Sequence, residues 1–162
     1  MRIPKNIKVV VFDFDGVLTD NKVYLSANGD EFVSCSRSDG LAFQLFRQIN
    51  LHTLILSTEK NPVVSVRAKK LKTEVIQAVK DKVTAMEEYL LKNKLEFKNV
   101  IFIGNDLNDF KLMQKVGFSC CPSDSHEKII ELADLILATK GGQGVARELA
   151  EKVFKINFLD YL

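Results

Sequence analysis

Short, continuous runs of apolar residues alternate along this chain with longer stretches of helical periodicity. Three runs are rich in β-branched residues and end in small or polar residues; they cover residues 8–12, 52–56 and 100–103. Runs of this length are typical of parallel strands that are buried on both faces. Alternation of strands and helices implies right-handed crossovers between neighbouring strands. The sequence therefore predicts an α/β fold with a Rossmann-like open parallel sheet.

The remaining elements follow from the same patterns. Two weaker strands are predicted around residues 118–121 and 134–138. Helices are predicted at residues 41–49, 63–71, 83–95, 107–116 and 145–154, the second of them after the cap signal Asn61-Pro62. Because the 162 residues contain no internal repeat or linker, we expect a single domain over residues 1–162.

One stretch interrupts the alternation directly after the first strand. Residues 23–26 and 31–36 are strand-like, and Asn28-Gly29 between them is a strong hairpin signal. We expect a hairpin of about residues 21–38 above the carboxyl edge of the sheet, which is where open α/β sheets bind ligands.

Polar side chains collect at that predicted edge. They follow the first three runs in the order Asp13 and Asp15, then Ser57, then Asn105, Asp106 and Asp109. Asp13 and Asp15 point to the same side of a strand. Clustered carboxylates repel one another, so such a set favours a bound cation, and Mg²⁺ prefers oxygen ligands and accompanies phosphate chemistry. The alternative interpretation is that these residues only form turns.

Four segments resemble the motifs of the haloacid dehalogenase-like phosphatase superfamily. Residues 13–20, Asp-Phe-Asp-Gly-Val-Leu-Thr-Asp, resemble its first motif, DxDGxxTD. Ser57 resembles the second motif and Lys82 the third, and residues 104–109 resemble the acidic fourth motif. The resemblance extends from about Lys8 to the end of the chain.

The resemblance implies a role for each matching residue. Asp13 would be the nucleophile and Asp15 the general acid and base, while Ser57 and Lys82 would hold the phosphate oxygens. Gly16 and Thr19 would lie beside the substrate. Mg²⁺ would bind the Asp13 side chain, the Asp15 carbonyl and Asn105. Many relatives have Asp where this chain has Asn105, so Asp106 or Asp109 remain possible substitutes.

The C-terminal tail, about residues 140–162, indicates which subgroup of the superfamily the sequence resembles. Residues 140–148 resemble the GGxGxxRE signature of the KDO 8-phosphate phosphatase family, which acts on 2-keto-3-deoxy sugar acid phosphates. That resemblance implies the absence of a separate cap domain and a homotetramer in which the hairpins form a barrel. It also implies a tail that reaches the active site through Gly142, Gly144 and Arg147. Alternatively, the glycines form a loop before a helix with Arg147 on its surface.

The substrate has two candidate forms, an eight-carbon KDO 8-phosphate and a nine-carbon nonulosonate 9-phosphate such as KDN or N-acylneuraminate 9-phosphate. Both carry a carboxylate, which Arg67 could bind through two hydrogen bonds. Glu59, Arg67 and Lys70 resemble the nine-carbon branch, because Glu59 replaces an arginine that is common in KDO-type enzymes. We therefore favour a nine-carbon substrate.

Composition excludes other classes of partner. The 23 basic residues are interspersed with 21 acidic ones, which argues against nucleic-acid binding. The three cysteines lack metal-ligand spacing, and no segment is apolar for long enough to be a signal or membrane span, so we expect a cytoplasmic protein. Two other functions stay open: a non-catalytic domain for oligomerisation, and phosphate transfer to an acceptor other than water.

Overall fold

A central sheet of six parallel strands organises the fold. The computed structural model describes residues 4–161. The eight strands are β1 (Val9–Phe12), β2 (Tyr24–Leu25), β3 (Glu31–Phe32), β4 (His52–Leu56), β5 (Glu74–Ile76), β6 (Val100–Ile103), β7 (Phe118–Cys121) and β8 (Leu135–Ile136). The sheet order is β5-β4-β1-β6-β7-β8, with β2 and β3 forming a separate antiparallel hairpin. The predicted Rossmann-like α/β fold is confirmed, and the described residues form no separate cap domain.

Helices cover both faces of the sheet. They are α1 (Arg37–Gln48), α2 (Val63–Leu71), α3 (Lys82–Asn93), α4 (Phe110–Met113), α5 (Glu127–Leu132) and α6 (Val145–Glu148). A π-helical turn at Leu149–Val153 continues α6, and 3₁₀ turns lie at Phe97–Asn99, Leu107–Asp109 and Phe158–Tyr161. None of the helices described over residues 4–161 has the length and apolarity needed to cross a membrane.

The core consists of two apolar clusters, one on each face of the sheet. Val10 and Phe12 of β1 pack with Phe43 and Phe46 of α1 in one cluster. Val9 and Val11 belong to the other, together with residues of α3 such as Met86. All four residues of β1 are completely buried, which explains why this strand is a continuous apolar run without alternation.

Several sequence predictions of secondary structure either missed an element or gave it the wrong length. The edge strand β5 and helix α5 were not predicted, because three and six residues are too few to show a clear period. The helix predicted at 107–116 is a 3₁₀ turn followed by the single-turn helix α4. The hairpin pairs only two residues on each strand, although its turn forms as predicted, with Gly29 at φ +89°.

Candidate active site

The first motif forms a loop, residues 13–20, which we call the catalytic loop. Asp13 donates its backbone N–H to Ile103 O at 2.9 Å, and Phe14 O accepts from the N–H groups of Leu18 and Thr19. Gly16 has φ +77° and donates to Thr19 Oγ1 at 3.2 Å. Because the apolar residues of the loop are buried in the core, the turn is fixed and holds Asp13 and Asp15 at the sheet edge.

A buried lysine joins two of the predicted carboxylates. Lys82 Nζ, at the start of α3, lies 2.8 Å from Asp13 Oδ1 and 2.6 Å from Asp109 Oδ1, and all three residues are at most 4% exposed. Burial alone lowers the pKa of Lys82, but attraction to the two carboxylates outweighs burial and raises this pKa. Burial and the nearby Asp109 charge raise the pKa of Asp13, against the lowering effect of Lys82.

Asp109 shapes the fourth-motif loop. Its Oδ2 accepts the backbone N–H of Asn105 at 2.8 Å and that of Asp106 at 3.3 Å, while its Oδ1 binds Lys82. Gly104 allows this approach, since a Cβ there would lie 2.6 Å from Asp109 Cβ. Both oxygens of Asp109 are therefore engaged, which makes it a less suitable metal ligand than its neighbours.

Asn105 presents an oxygen with no partner. It is 6% exposed, and its Oδ1 is a buried atom without a hydrogen bond in the part of the chain that the structure describes. Its amide lies against Gly16, where any side chain would overlap Asn105 Nδ2. A buried amide oxygen without a donor carries a free-energy cost that a cation would remove. The residues present thus fit a metal ion held mainly by oxygen atoms.

Within residues 4–161, no group of three or more His, Cys, Asp or Glu side chains has the spacing of a metal site. The predicted ligand set includes an amide and a backbone carbonyl as well as carboxylates, and it stays a prediction. Asp106, the remaining predicted ligand, is exposed and caps the following 3₁₀ turn through Leu107 N at 2.7 Å.

A cavity of about 270 Å³ opens above these groups. Its lining consists of Asp13, Asp15, Asn21, Thr58, Asn105, Asp106 and Asn108. Burial raises the pKa of Asp15, and the negative charges of Glu59 and Glu31 raise it further. The sequence predictions omitted Asn21, Thr58 and Asn108, although each directly follows or lies within a matched motif. These three uncharged side chains can hydrogen-bond to a polar substrate.

Ser57, which matches the second motif, directly precedes Thr58 of the cavity lining. Ser57 is 1% exposed, and its Oγ accepts the backbone N–H of Glu59 at 3.0 Å. The Glu59 carboxylate folds back onto its own loop, where Oε1 accepts from Lys60 N at 2.6 Å and Asn61 N at 2.7 Å. Its charge still raises the pKa of Asp15, and its neighbour Thr58 lines the cavity.

The other predicted substrate-binding residues do not line this cavity. Arg67 donates from Nη2 to Ser36 O at 2.7 Å, and Lys70 is exposed on α2. Arg147 donates to Glu151 Oε1 at 2.6 Å and stacks 3.6 Å above the Phe158 ring. Gly142 packs against the catalytic loop at Thr19 and Asp20, whereas Gly144 packs against Ser38 of α1. Within one chain these residues are separate from Asp13, and their roles toward substrate stay predictions.

Comparison with family models decides the assignment. Residues 48–149 match the model described as haloacid dehalogenase-like hydrolase. The chain belongs to the haloacid dehalogenase-like hydrolase family. In this HAD family it is 31% identical to 3-deoxy-D-manno-octulosonate 8-phosphate phosphatase of Escherichia coli K12, over 91% of this chain and 79% of that protein.

Solved HAD structures superpose closely on the fold. A Streptomyces avermitilis protein assigned to the HAD hydrolases is 36% identical with a TM-score of 0.90, and the match covers 93% of this chain and 87% of that one. The Moraxella catarrhalis 3-deoxy-D-manno-octulosonate 8-phosphate phosphatase, in complex with magnesium, phosphate and KDO, is 31% identical with a TM-score of 0.89, again over 93% and 87%. The predicted HAD family, its resemblance to KDO 8-phosphate phosphatases and the class of enzyme, a phosphoric monoester hydrolase, are confirmed.

Proposed function

We propose that this enzyme removes phosphate from a phosphorylated 2-keto-3-deoxy sugar acid through a covalent phosphate on Asp13. The observation that carries the proposal is the buried Asp13–Lys82–Asp109 cluster, of which Asp13 lines a polar cavity. Both hydrogen-bond donors to Asp13, Lys82 Nζ and Phe14 N, lie at Oδ1. Oδ2 is therefore the oxygen best placed to attack phosphorus.

The reaction divides into two displacements. In the first, an Asp13 oxygen forms a bond to phosphorus, the bond from phosphorus to the sugar oxygen breaks, and Asp15 donates a proton to that oxygen. In the second, water attacks phosphorus, Asp15 takes the water's proton, and the bond to Asp13 breaks to restore the carboxylate. Lys82 stabilises negative charge on the phosphoryl oxygens in a site largely shielded from water.

We infer that Mg²⁺ is the cofactor, held by the Asp13 side chain, the Asp15 carbonyl and Asn105 Oδ1, with Asp106 nearby. When bound, the ion would neutralise charge on the nucleophile and on the phosphate. The Moraxella relative in complex with magnesium supports this choice. The buried, unpartnered Asn105 Oδ1 supports it independently.

For the substrate we favour a nonulosonate 9-phosphate, with KDO 8-phosphate as the alternative. The Escherichia coli and Moraxella relatives are named for the eight-carbon substrate. Glu59 favours the nine-carbon compound, because a carboxylate next to Thr58 of the cavity lining replaces the arginine of KDO-type enzymes. Uncharged Asn21, Thr58 and Asn108 suit the hydroxyl groups of either sugar.

The test is phosphate release from KDO 8-phosphate, KDN 9-phosphate and N-acetylneuraminate 9-phosphate, with Mg²⁺ or with EDTA. We expect Mg²⁺-dependent release that is fastest with a nine-carbon substrate, and a shift toward KDO 8-phosphate in Glu59→Arg. Faster release from KDO 8-phosphate by the wild type would contradict the nine-carbon assignment. No release from any of the three would favour another small phosphate ester as substrate or a role in assembly alone.

We further propose that the enzyme is a homotetramer in the cytoplasm. The hairpin supports an oligomer because its apolar side chains are exposed: Val23, Tyr24, Leu25 and Phe32 are 52–72% exposed. Exposed apolar clusters of this kind mark contact surfaces. A neighbouring subunit could also bring Arg67 or Arg147 to the cavity of this one.

A further inference from the structure

A glycine-rich loop packs against the back of the catalytic loop. We call residues 140–144 the glycine loop. Gly142 donates its N–H to Val17 O at 3.0 Å, and a Cβ on Gly142 would lie 2.5 Å from Asp20 N. A Cβ on Gly141 would overlap Gly16 O. The two loops therefore touch backbone to backbone, which requires the glycines.

Gly16 lies between this glycine loop and the Asn105 amide. Any side chain on Gly16 would overlap Asn105, and Gly141 occupies the space beside the Gly16 carbonyl. Close-packed groups transmit displacements to one another, since no empty volume absorbs them. The position of the glycine loop therefore limits how far the catalytic loop can move away from Asn105.

Two aspartates hold the glycine loop at its ends, and they are the exposed Asp124 and the buried Asp39. Asp124 Oδ1 accepts the N–H of Gly141 at 2.9 Å. Asp39, in the first turn of α1 and 1% exposed, accepts at Oδ1 the N–H groups of Ala146 at 2.9 Å and Arg147 at 3.3 Å. These donors form the first turn of α6, directly after the glycine loop, so Asp39 caps a helix more than 100 residues away in sequence.

Burial of the Asp39 carboxyl group that caps α6 costs free energy. Asp39 Oδ2 is buried and has no hydrogen-bond partner among the described residues. Burial raises the pKa of Asp39 to about 6, although the hydrogen bonds from the α6 backbone and the Arg67 charge oppose the rise. A neutral amide would accept the same two bonds at lower cost, so the contact with α6 depends on the acceptor oxygen of residue 39 and not on its charge.

We propose that Asp39 is a positioning residue, which holds the glycine loop against the catalytic loop and so fixes Gly16 beside Asn105. The expected effect on turnover rests on the proposed phosphatase function. The expected effect on the motion of the catalytic loop does not, because that motion can be measured without substrate.

The experiment compares Asp39→Ala, which removes the acceptor, with Asp39→Asn, which retains it. Amide hydrogen exchange in peptides that cover residues 13–20 should become about tenfold faster or more in Asp39→Ala, as expected for the loss of two buried hydrogen bonds. With p-nitrophenyl phosphate and Mg²⁺, kcat should fall by a similar factor while KM changes by less than about twofold. Asp39→Asn should restore both values.

Two further variants serve as controls. Asp134→Ala removes an acceptor of two hydrogen bonds from Ser119, which belongs to neither loop, and should leave exchange in residues 13–20 unchanged. If Asp39→Ala does not fold, Gly141→Ala tests the same contact against Gly40→Ala, where a Cβ meets no atom within 4 Å.

The outcomes distinguish the positioning role of Asp39 from the proposed phosphatase function. Unchanged exchange in residues 13–20 of Asp39→Ala, or of Gly141→Ala, would overturn the positioning role. Equal acceleration in Asp134→Ala would also overturn it. Faster exchange in a protein whose wild type releases no phosphate would support the positioning role and reject the phosphatase function.

Discussion

The catalytic edge and the hairpin depart from the usual distribution of side chains in opposite directions. At the edge, Asp13, Lys82 and Asp109 are charged and almost fully buried. On the hairpin, Leu25 and Phe32 are apolar and 72% and 59% exposed. Both arrangements are unfavourable unless something compensates them. The edge charges compensate one another within one chain, whereas the hairpin side chains remain exposed there. We therefore propose that chemistry takes place at the edge and assembly at the hairpin.

Removal of the buried lysine should have the largest effect on stability. Lys82→Met leaves two buried carboxylates without their cation, which should destabilise the fold by about 3–5 kcal/mol at pH 7. Lys115→Met is the control, because the Lys115–Glu87 pair is half exposed and should contribute less than about 1 kcal/mol. Urea denaturation measures both; equal losses would show that the edge charges do not depend on Lys82.

Removal of the exposed apolar groups should change assembly and leave the fold intact. In the double variant with Leu25→Glu and Phe32→Glu, charges on the hairpin should convert the oligomer to monomers in size-exclusion chromatography with light scattering. Leu91→Glu is the matched control, since Leu91 is 83% exposed on α3 and lies outside the hairpin. Dissociation caused by Leu91→Glu, or an unchanged oligomer in the double variant, would contradict the role of the hairpin.

The buried carboxyl group of Asp39 gives a pH-dependent test. The raised pKa of Asp39, about 6 in the folded protein, means that the unfolded chain ionises first as pH rises. The contribution of Asp39 to stability therefore decreases from about pH 4 to about pH 6 and then levels off. Asp39→Asn removes this contribution and should be more stable than wild type by about 1–3 kcal/mol at pH 7, with little difference at pH 4. A constant difference across that range would contradict the assignment.

The smallest predicted effect is on the Mg²⁺ concentration that the enzyme needs. Asn105→Asp adds one negative charge to the ligand set, so the Mg²⁺ concentration for half-maximal activity should fall by about threefold to tenfold. Titration of activity with Mg²⁺ measures this concentration in the wild type and in the variant. No change, or an increase, would remove Asn105 from the proposed ligands.

The sequence predicts local features well and distant contacts poorly. The apolar run of β1 and the motif that follows it are contiguous, so both the strand and the catalytic loop could be predicted. Asp39 carried no pattern, because its partners Ala146 and Arg147 lie 107 and 108 residues away. The side-chain direction of Glu59 depends on hydrogen bonds within its own turn, which no spacing rule reveals. Edge strand β5 was missed because three residues show no period.

The central claim is that Asp13 attacks phosphorus, and Asp13→Asn tests it most directly. Phosphate release from the preferred sugar acid phosphate should fall by about 10³-fold or more in this variant at saturating Mg²⁺. Thermal unfolding should show that the fold is retained, because Lys82 keeps its contact with Asp109. Loss of turnover in a folded variant is the predicted result; turnover within tenfold of wild type would show that Asp13 is not the nucleophile.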